Sequence, residues 1–129
     1  MKAMMIASLI LISVALAGAT RAEENVYGDN ALAQDRAQTV YDSLSELGVQ
    51  RVLVFYQNSP RMEVYANASL GEGLSTNEQN GRDLVSALVD LMEYDMPGLE
   101  SYEIELWSSD ELAVRGKKEV GLLKVEFLK

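Results

Sequence analysis

Apolar residues recur every three or four positions between residues 30 and 48, the pattern of a helix with one buried face. The positions that share this face are Ala33, Ala37, Val40, Tyr41, Leu44 and Leu47. Asp29 or Asn30 is suited to cap the start of the helix, and Gly48 is suited to end it in a left-handed conformation. The pattern therefore predicts one amphipathic helix close to the start of the fold.

A second helix is predicted further along the chain by the same spacing. Its apolar positions are Leu84, Val85, Leu88, Leu91 and Met92. Ser75 and Glu78 have the spacing of a capping box, which favours a helix that begins there, and the turn residues 95–98 are expected to end it. The preceding segment, Leu70–Leu74, contains two glycines and is predicted to be a loop.

Alternation with a period of two, or enrichment in β-branched and aromatic residues, predicts four strands. These are Val49–Gln57, Met62–Ala68, Ser101–Trp107 and Gly121–Leu128. The first two are joined by a turn at residues 58–61 and are expected to form a β-hairpin. Residues 108–119 fit either a short helix over 109–116 or an extended arm, and residues 23–28 are expected to be a loose polar arm.

The order of elements is helix, strand, strand, helix, strand, strand, which is typical of an α+β fold. We expect a two-layer sandwich, with two helices packed on one face of a four-stranded, mainly antiparallel sheet. No repeat, low-complexity tract or linker divides the chain, so residues 23–129 are predicted to be a single domain.

The hairpin register decides which side chains face the helices. A four-residue turn places Phe55 opposite Val64 and Leu53 opposite Ala66, so these residues are expected in the core with the apolar positions of the later strands. The reverse face is then predicted to carry Val52, Val54, Tyr56, Glu63, Tyr65, Asn67, Glu103, Glu105, Trp107, Lys124 and Glu126. Two helices cover one side of a sheet, and a solvated reverse side would ordinarily be mostly polar.

This mixture of aromatic and acidic residues predicts a surface that binds another protein. Tyr56, Tyr65 and Trp107 are the candidate apolar anchors, because Tyr and Trp are enriched at interfaces. The candidate steering residues, which would select a basic partner, are Glu63, Glu103 and Glu105. Two alternatives are that the arm or residues 108–119 fold over this face, and that its apolar residues are ordinary surface residues.

The first residues of the chain have the pattern of a signal peptide. Lys2 supplies a positive start, residues 3–19 carry no charge, and small residues allow cleavage after Ala19 or Ala22. The apolar run is too short for an ordinary transmembrane helix, which needs about 20 residues, although an uncleaved anchor is an alternative. We therefore expect residues 1–22 to be removed on export, which would leave no membrane span.

Charge and the absence of cysteine narrow the location and the partners. The chain has a formal net charge of −9, and cleavage after Ala22 would make it −11 by removing Lys2 and Arg21. Such a charge repels nucleic acid and anionic lipid. Small secreted eukaryotic domains are commonly rich in disulfides, so an exported chain without cysteine favours the bacterial periplasm or secretion from bacteria.

The composition also restricts the chemistry. There is no histidine and no cysteine, which removes the usual general base, the thiol nucleophile and most transition-metal ligands. Carboxylate pairs such as Glu103 and Glu105 leave a glycosidase-type hydrolase as an alternative, but a solvated face is the favoured explanation, because such pairs arise by chance among 20 acidic residues. We expect no catalytic site, metal or cofactor.

The function expected from the sequence is that of a small exported acidic accessory protein that binds another protein. An inhibitor or immunity protein against a basic envelope hydrolase or toxin is one version of this hypothesis. A homo-oligomeric structural protein of the envelope is the alternative, and a carboxylate-based hydrolase is a weaker one.

Overall fold

A computed structural model of the protein describes residues 25–57, 59–94 and 99–128. The predicted signal peptide, the turn at residues 95–98 and part of the hairpin turn lie outside these residues. The described strands are β1 (Val26–Gly28), β2 (Val49–Phe55), β3 (Arg61–Ala66), β4 (Tyr102–Ser108), β5 (Glu111–Glu119) and β6 (Leu122–Phe127). The described helices are α1 (Ala31–Leu44), α2 (Ala68–Thr76) and α3 (Glu78–Glu93), and a 3-10 turn (Ser45–Leu47) follows α1.

The strands form one six-stranded sheet in the order β1-β2-β3-β4-β5-β6. Two neighbouring pairs are parallel, β1 with β2 across α1, and β3 with β4 across α2 and α3. The other three neighbouring pairs are antiparallel. Spatial order thus follows chain order: helices connect β1 to β2 and β3 to β4, and connections without a helix join the other neighbouring strands.

The expected four-stranded, mainly antiparallel sheet with two helices is wrong. Within the described residues the sheet is mixed and has six strands, and three helices pack with it, although the fold class is α+β as expected. The segment expected to be a loose arm contains β1, and the segment left open at residues 108–119 contains β5. The predicted glycine loop at Leu70–Leu74 lies in α2, because tertiary contacts outweigh the weak helix propensity of glycine.

Local capping explains where the helices begin. The side-chain oxygen of Asn30 accepts a hydrogen bond of 2.7 Å from the Ala33 amide at the start of α1, as one of the two predicted caps. The start of α3 is capped by Asn77, whose side chain accepts from the Gln79 amide at 2.9 Å, and the predicted capping box at Ser75 is therefore wrong. Gly48 has a φ of 119° after the 3-10 turn, the left-handed conformation that the sequence predicted.

The core lies between the three helices and one face of the sheet. Val40 of α1 and Val85, Leu88 and Met92 of α3 are fully buried there. The sheet contributes Val52, Val54, Met62, Val64, Ile104 and Leu106, all of which are also almost completely inaccessible to solvent. Burial of such side chains stabilises the fold by about 1.5–3 kcal/mol each.

The prediction of which β2 side chains face the helices is wrong. The structure pairs Val54 with Met62 and Val52 with Val64, whereas the sequence prediction paired Phe55 with Val64. The two registers differ by three residues, an odd number, and an odd shift exchanges the two faces of a strand. Consequently Val52 and Val54 lie in the core, and Leu53 and Phe55 lie on the reverse face.

A buried polar network joins the end of β2 to two helices. The Tyr56 hydroxyl donates to the Met92 carbonyl at 2.7 Å, and Arg36 Nε donates to the same hydroxyl at 3.3 Å. Arg36 also donates to the Tyr94 carbonyl. Because Arg36 is only 7% exposed, these acceptors satisfy an arginine that would otherwise be costly to bury.

Candidate functional site

The face of the sheet opposite the helices is the candidate site, and it is called the open face below. In the described part of the chain, α1, α2 and α3 pack on the other face, and β1 and β5 extend the sheet sideways rather than covering it. The sequence left open whether residues 23–28 or residues 108–119 cover this face. The first segment contains β1 and the second contains β5, and both strands belong to the sheet itself. One row of this face crosses all six strands in register: Tyr27, Leu53, Glu63, Glu105, Arg115 and Glu126.

A stacked aromatic pair lies near the centre of the open face. Tyr65 and Trp107 are direct neighbours on the parallel strands β3 and β4, and both side chains are half-buried. Their ring centroids are 5.6 Å apart and their planes are inclined by 19°. The Arg51 guanidinium lies 5.7 Å from the centre of the Tyr65 ring, a cation–π distance.

Two carboxylates hold this aromatic pair in place. The Tyr65 hydroxyl donates to Glu63 at 2.8 Å, and Trp107 Nε1 donates to Glu105 at 3.1 Å. Each bond joins residues two positions apart on one strand, because such residues share a face. Burial, and then the bond to Glu63, raise the pKa of Tyr65 to about 12, so its hydroxyl is a hydrogen-bond donor at neutral pH.

A second aromatic cluster lies on the same face toward the β1 edge. Arg61 lies 4.0 Å above the centre of the Phe55 ring and donates through Nε to Glu63 at 2.8 Å. The Tyr27 ring is 5.6 Å from that of Phe55. Glu63 therefore connects both aromatic groups, since it accepts from Arg61 and from Tyr65.

Toward the β6 edge, ion pairs join the side chains of the open face. Arg115 on β5 lies between Glu103 on β4 and Glu126 on β6, at 3.7 Å and 3.6 Å. These distances are those of an ion pair rather than of a good hydrogen bond, and the buried Nε of Arg115 has no hydrogen-bond partner among the described residues.

Charge is divided unevenly between the two surfaces of the described protein. The open face carries five carboxylates, Glu63, Glu103, Glu105, Glu119 and Glu126, and five cations, Arg51, Arg61, Arg115, Lys117 and Lys124. The three helices carry seven acidic side chains and two basic ones. Between these two described surfaces, the excess of acidic side chains therefore lies on the helices, and the open face is balanced in charge.

Five of the six predicted site residues share the open face, and Tyr56 does not. Tyr56 lies on the helix-covered side, where it is 8% exposed and bound to Met92 and Arg36, so its assignment to the binding face is wrong. The reason is the β2 register described above. Sequence reasoning missed Tyr27, Phe55, Arg61 and Arg115, and the correct strand parity would have placed Phe55 on this face.

Among the described residues, a shallow cleft of about 210 Å³ lies at one end of the open face, lined by residues that include Pro60, Arg61, Glu103 and Lys117. Ligand pockets typically enclose about 300–1,000 Å³. Among the described residues there is no group of three or more acidic side chains arranged to hold a metal ion.

None of the helices in the described ranges is long and apolar enough to cross a membrane. Comparison of the chain with protein-family models, with curated proteins and with solved structures gives no match.

Proposed function

We propose that this chain is a small exported accessory protein that acts by binding another protein through the open face. The observation that carries the proposal is the stacked pair of Tyr65 and Trp107, fixed on a face that no described element covers. Export is supported by the N-terminal sequence pattern, and a periplasmic or secreted location follows from the same proposal.

The aromatic pair is suited to anchor a partner because it is already ordered. Stacking and the bonds to Glu63 and Glu105 fix both side chains before any partner arrives. Binding then costs less side-chain entropy than it would for mobile residues. Tyr and Trp are also the residues most often found at the energetic centre of interfaces.

The chemistry of the partner follows from how the charges are bound. Glu63, Glu103 and Glu105 each already accept a hydrogen bond or form an ion pair within the face. We therefore assign them mainly to positioning the aromatic and arginine side chains, with steering of a basic partner as a smaller effect. The proposed partner presents an apolar or aromatic surface rimmed by charges of both signs, and an envelope hydrolase or toxin that this protein inhibits is one version.

Affinity capture from native envelope extract, followed by titration of the purified partner, tests the proposal. The double variant Tyr65→Ala/Trp107→Ala should weaken the titrated affinity by at least about a hundredfold, since two central anchors are lost. Leu47→Ala is the matched control, because Leu47 is 64% exposed but lies in the 3-10 turn after α1, away from the open face.

Both variants are compared at a temperature where circular dichroism shows them folded. Unchanged affinity in the double variant, or an equal loss in Leu47→Ala, would contradict binding through the open face.

A further inference from the structure

The two outer strands of the sheet, β1 and β6, differ in whether a side chain forms hydrogen bonds with the backbone groups of the outer edge. In β1, the Gly28 amide donates to the side-chain oxygen of Gln34 at 2.9 Å, and the Gln34 side-chain amide approaches the Val26 carbonyl at 3.4 Å. The Gln34 carboxamide thus takes the position that a residue of a further parallel strand would occupy. Among the described residues, no comparable side chain bonds the outer edge of β6.

The outward-facing backbone groups of β6 can be identified from one hydrogen bond. The Leu128 amide donates to the Ala113 carbonyl of the neighbouring chain segment at 2.9 Å. Because alternate residues of a strand direct their backbone groups to opposite sides, Leu123, Val125 and Phe127 direct theirs away from β5. This edge therefore offers three N–H and three C=O groups to a partner strand.

We infer that β6 pairs antiparallel with β6 of a second copy of this chain, about a two-fold axis at Val125. In that register Val125 faces its own copy, and Leu123 faces Phe127 of the second copy. All three outward residues then form hydrogen-bonded pairs, so the six backbone groups satisfy one another. Because the interface repeats the same strand on both sides, it closes as a dimer.

The side chains select this register over its neighbours. Lys124 faces Glu126 of the second copy twice, once on each side of the axis, and opposite charges on facing strands stabilise a pair. Leu122 and Leu128, which are 53% and 47% exposed in the single chain, face each other. Moving the axis by one residue would set Lys124 against itself or Glu126 against itself, which is unfavourable.

The charge arrangement within one chain supports the same partner. Lys124 lies directly opposite Lys117 on β5, a like-charge neighbour, and has no ion pair with the described residues. Glu126 of the second copy would supply the missing opposite charge. The half-buried Leu123, Val125 and Phe127 would also lose their remaining exposure across the edge.

Charge reversal with complementation tests the dimer. Sedimentation equilibrium on the protein, expressed with its complete N-terminal segment, should show twice the mass of the single chain. Lys124→Glu and Glu126→Lys should each raise the dimer dissociation constant by at least about tenfold, since each creates two like-charge pairs. An equimolar mixture of the two variants should recover the dimer, because every facing pair becomes Glu with Lys.

Lys117→Glu is the matched control, since it makes the same charge change one strand away and should leave the dimer intact. Hydrogen exchange supplies a second readout: the Val125 amide should be protected in the wild type and exposed in Lys124→Glu, whereas the Glu126 amide, directed toward β5, should stay protected in both.

A monomeric wild type, a dimer indifferent to both reversals, or a mixture that stays monomeric would each overturn the inference. The outcome is separable from that of the proposed function, because Trp107 and Tyr65 lie two and three strands away from this edge.

Discussion

Two tyrosines on opposite sides of the sheet differ in what their hydroxyl groups bind and in how much those bonds should contribute to stability. The Tyr56 hydroxyl is buried between Arg36 and the Met92 carbonyl, whereas the Tyr65 hydroxyl bonds one half-buried carboxylate, Glu63. Removal of the first takes one acceptor from the buried Arg36, which keeps the Tyr94 carbonyl, and takes the hydroxyl donor from the buried Met92 carbonyl. Removal of the second leaves a carboxylate that keeps Arg61 and can reach water.

Tyr56→Phe should therefore lower the free energy of unfolding by about 1–3 kcal/mol, because the groups left behind stay buried. Tyr65→Phe keeps the ring stack and should lower it by less than about 0.5 kcal/mol. Urea unfolding of both variants beside the wild type measures the difference. Equal effects would mean that the network around Arg36 does not stabilise the fold as its geometry indicates.

Helices and strands approach each other closely at glycines. These close approaches follow from the tertiary structure and not from the local sequence. A Cβ at Gly28 of β1 would lie 2.1 Å from the Gln34 backbone nitrogen of α1, and one at Gly71 of α2 would lie 2.0 Å from the Ser108 hydroxyl oxygen. A Cβ at Gly73, in the same helix α2, meets no atom within 4 Å.

Gly28→Ala should destabilise the protein by about 3 kcal/mol, since backbone must move to admit the methyl group. Gly73→Ala should stabilise it by about 0.5–1 kcal/mol, because alanine restricts the unfolded chain and favours the helix. Thermal and urea unfolding of the two variants measure whether each substitution raises or lowers the stability. A tolerated Gly28→Ala would contradict the close contact between β1 and α1.

These glycines also explain how much of the fold the sequence could predict. The long helices and the four strands with clear alternation were found, since their periodicity is a local signal. The helix α2 was missed because Gly71 and Gly73 lower its propensity, and the contact with Ser108 that requires Gly71 is remote in sequence. In β5, Gly116 packs against Val85 of α3 and interrupts an otherwise recognisable strand.

The sequence placed a site residue on the correct face only where it also predicted correctly which side chains of that strand point to each face of the sheet. Tyr65 and Trp107 were placed on one face because β3 and β4 alternate without interruption, yet their direct pairing depends on a parallel crossover that no local pattern specifies. Tyr56 was misplaced because five residues, not four, separate the paired ends of β2 and β3, Phe55 and Arg61. The connection thus has an odd rather than an even number of residues, and this change of parity exchanges the two faces of β2.

At the scale of the whole molecule, the separation of charge from the open face changes how a partner would be attracted. A formal net charge of −9 suggested that basic molecules would be drawn to the aromatic surface. The structure places the excess of acidic side chains on α1, α2 and α3, and the carboxylates around Tyr65 and Trp107 are already bound. Long-range attraction and the proposed binding contact thus belong to opposite surfaces.

Oligolysine tests this separation, because Trp107 is the single tryptophan of the chain and its fluorescence reports on the open face. We expect oligolysine to bind weakly and in a salt-dependent manner, without shifting the Trp107 emission, since the cations collect on the helical layer. In NMR spectra the perturbed amides should be those of exposed acidic helix residues such as Asp83 and Asp90. A salt-sensitive emission shift that Glu105→Gln abolishes would instead show that the face carboxylates attract cations, as the sequence alone suggested.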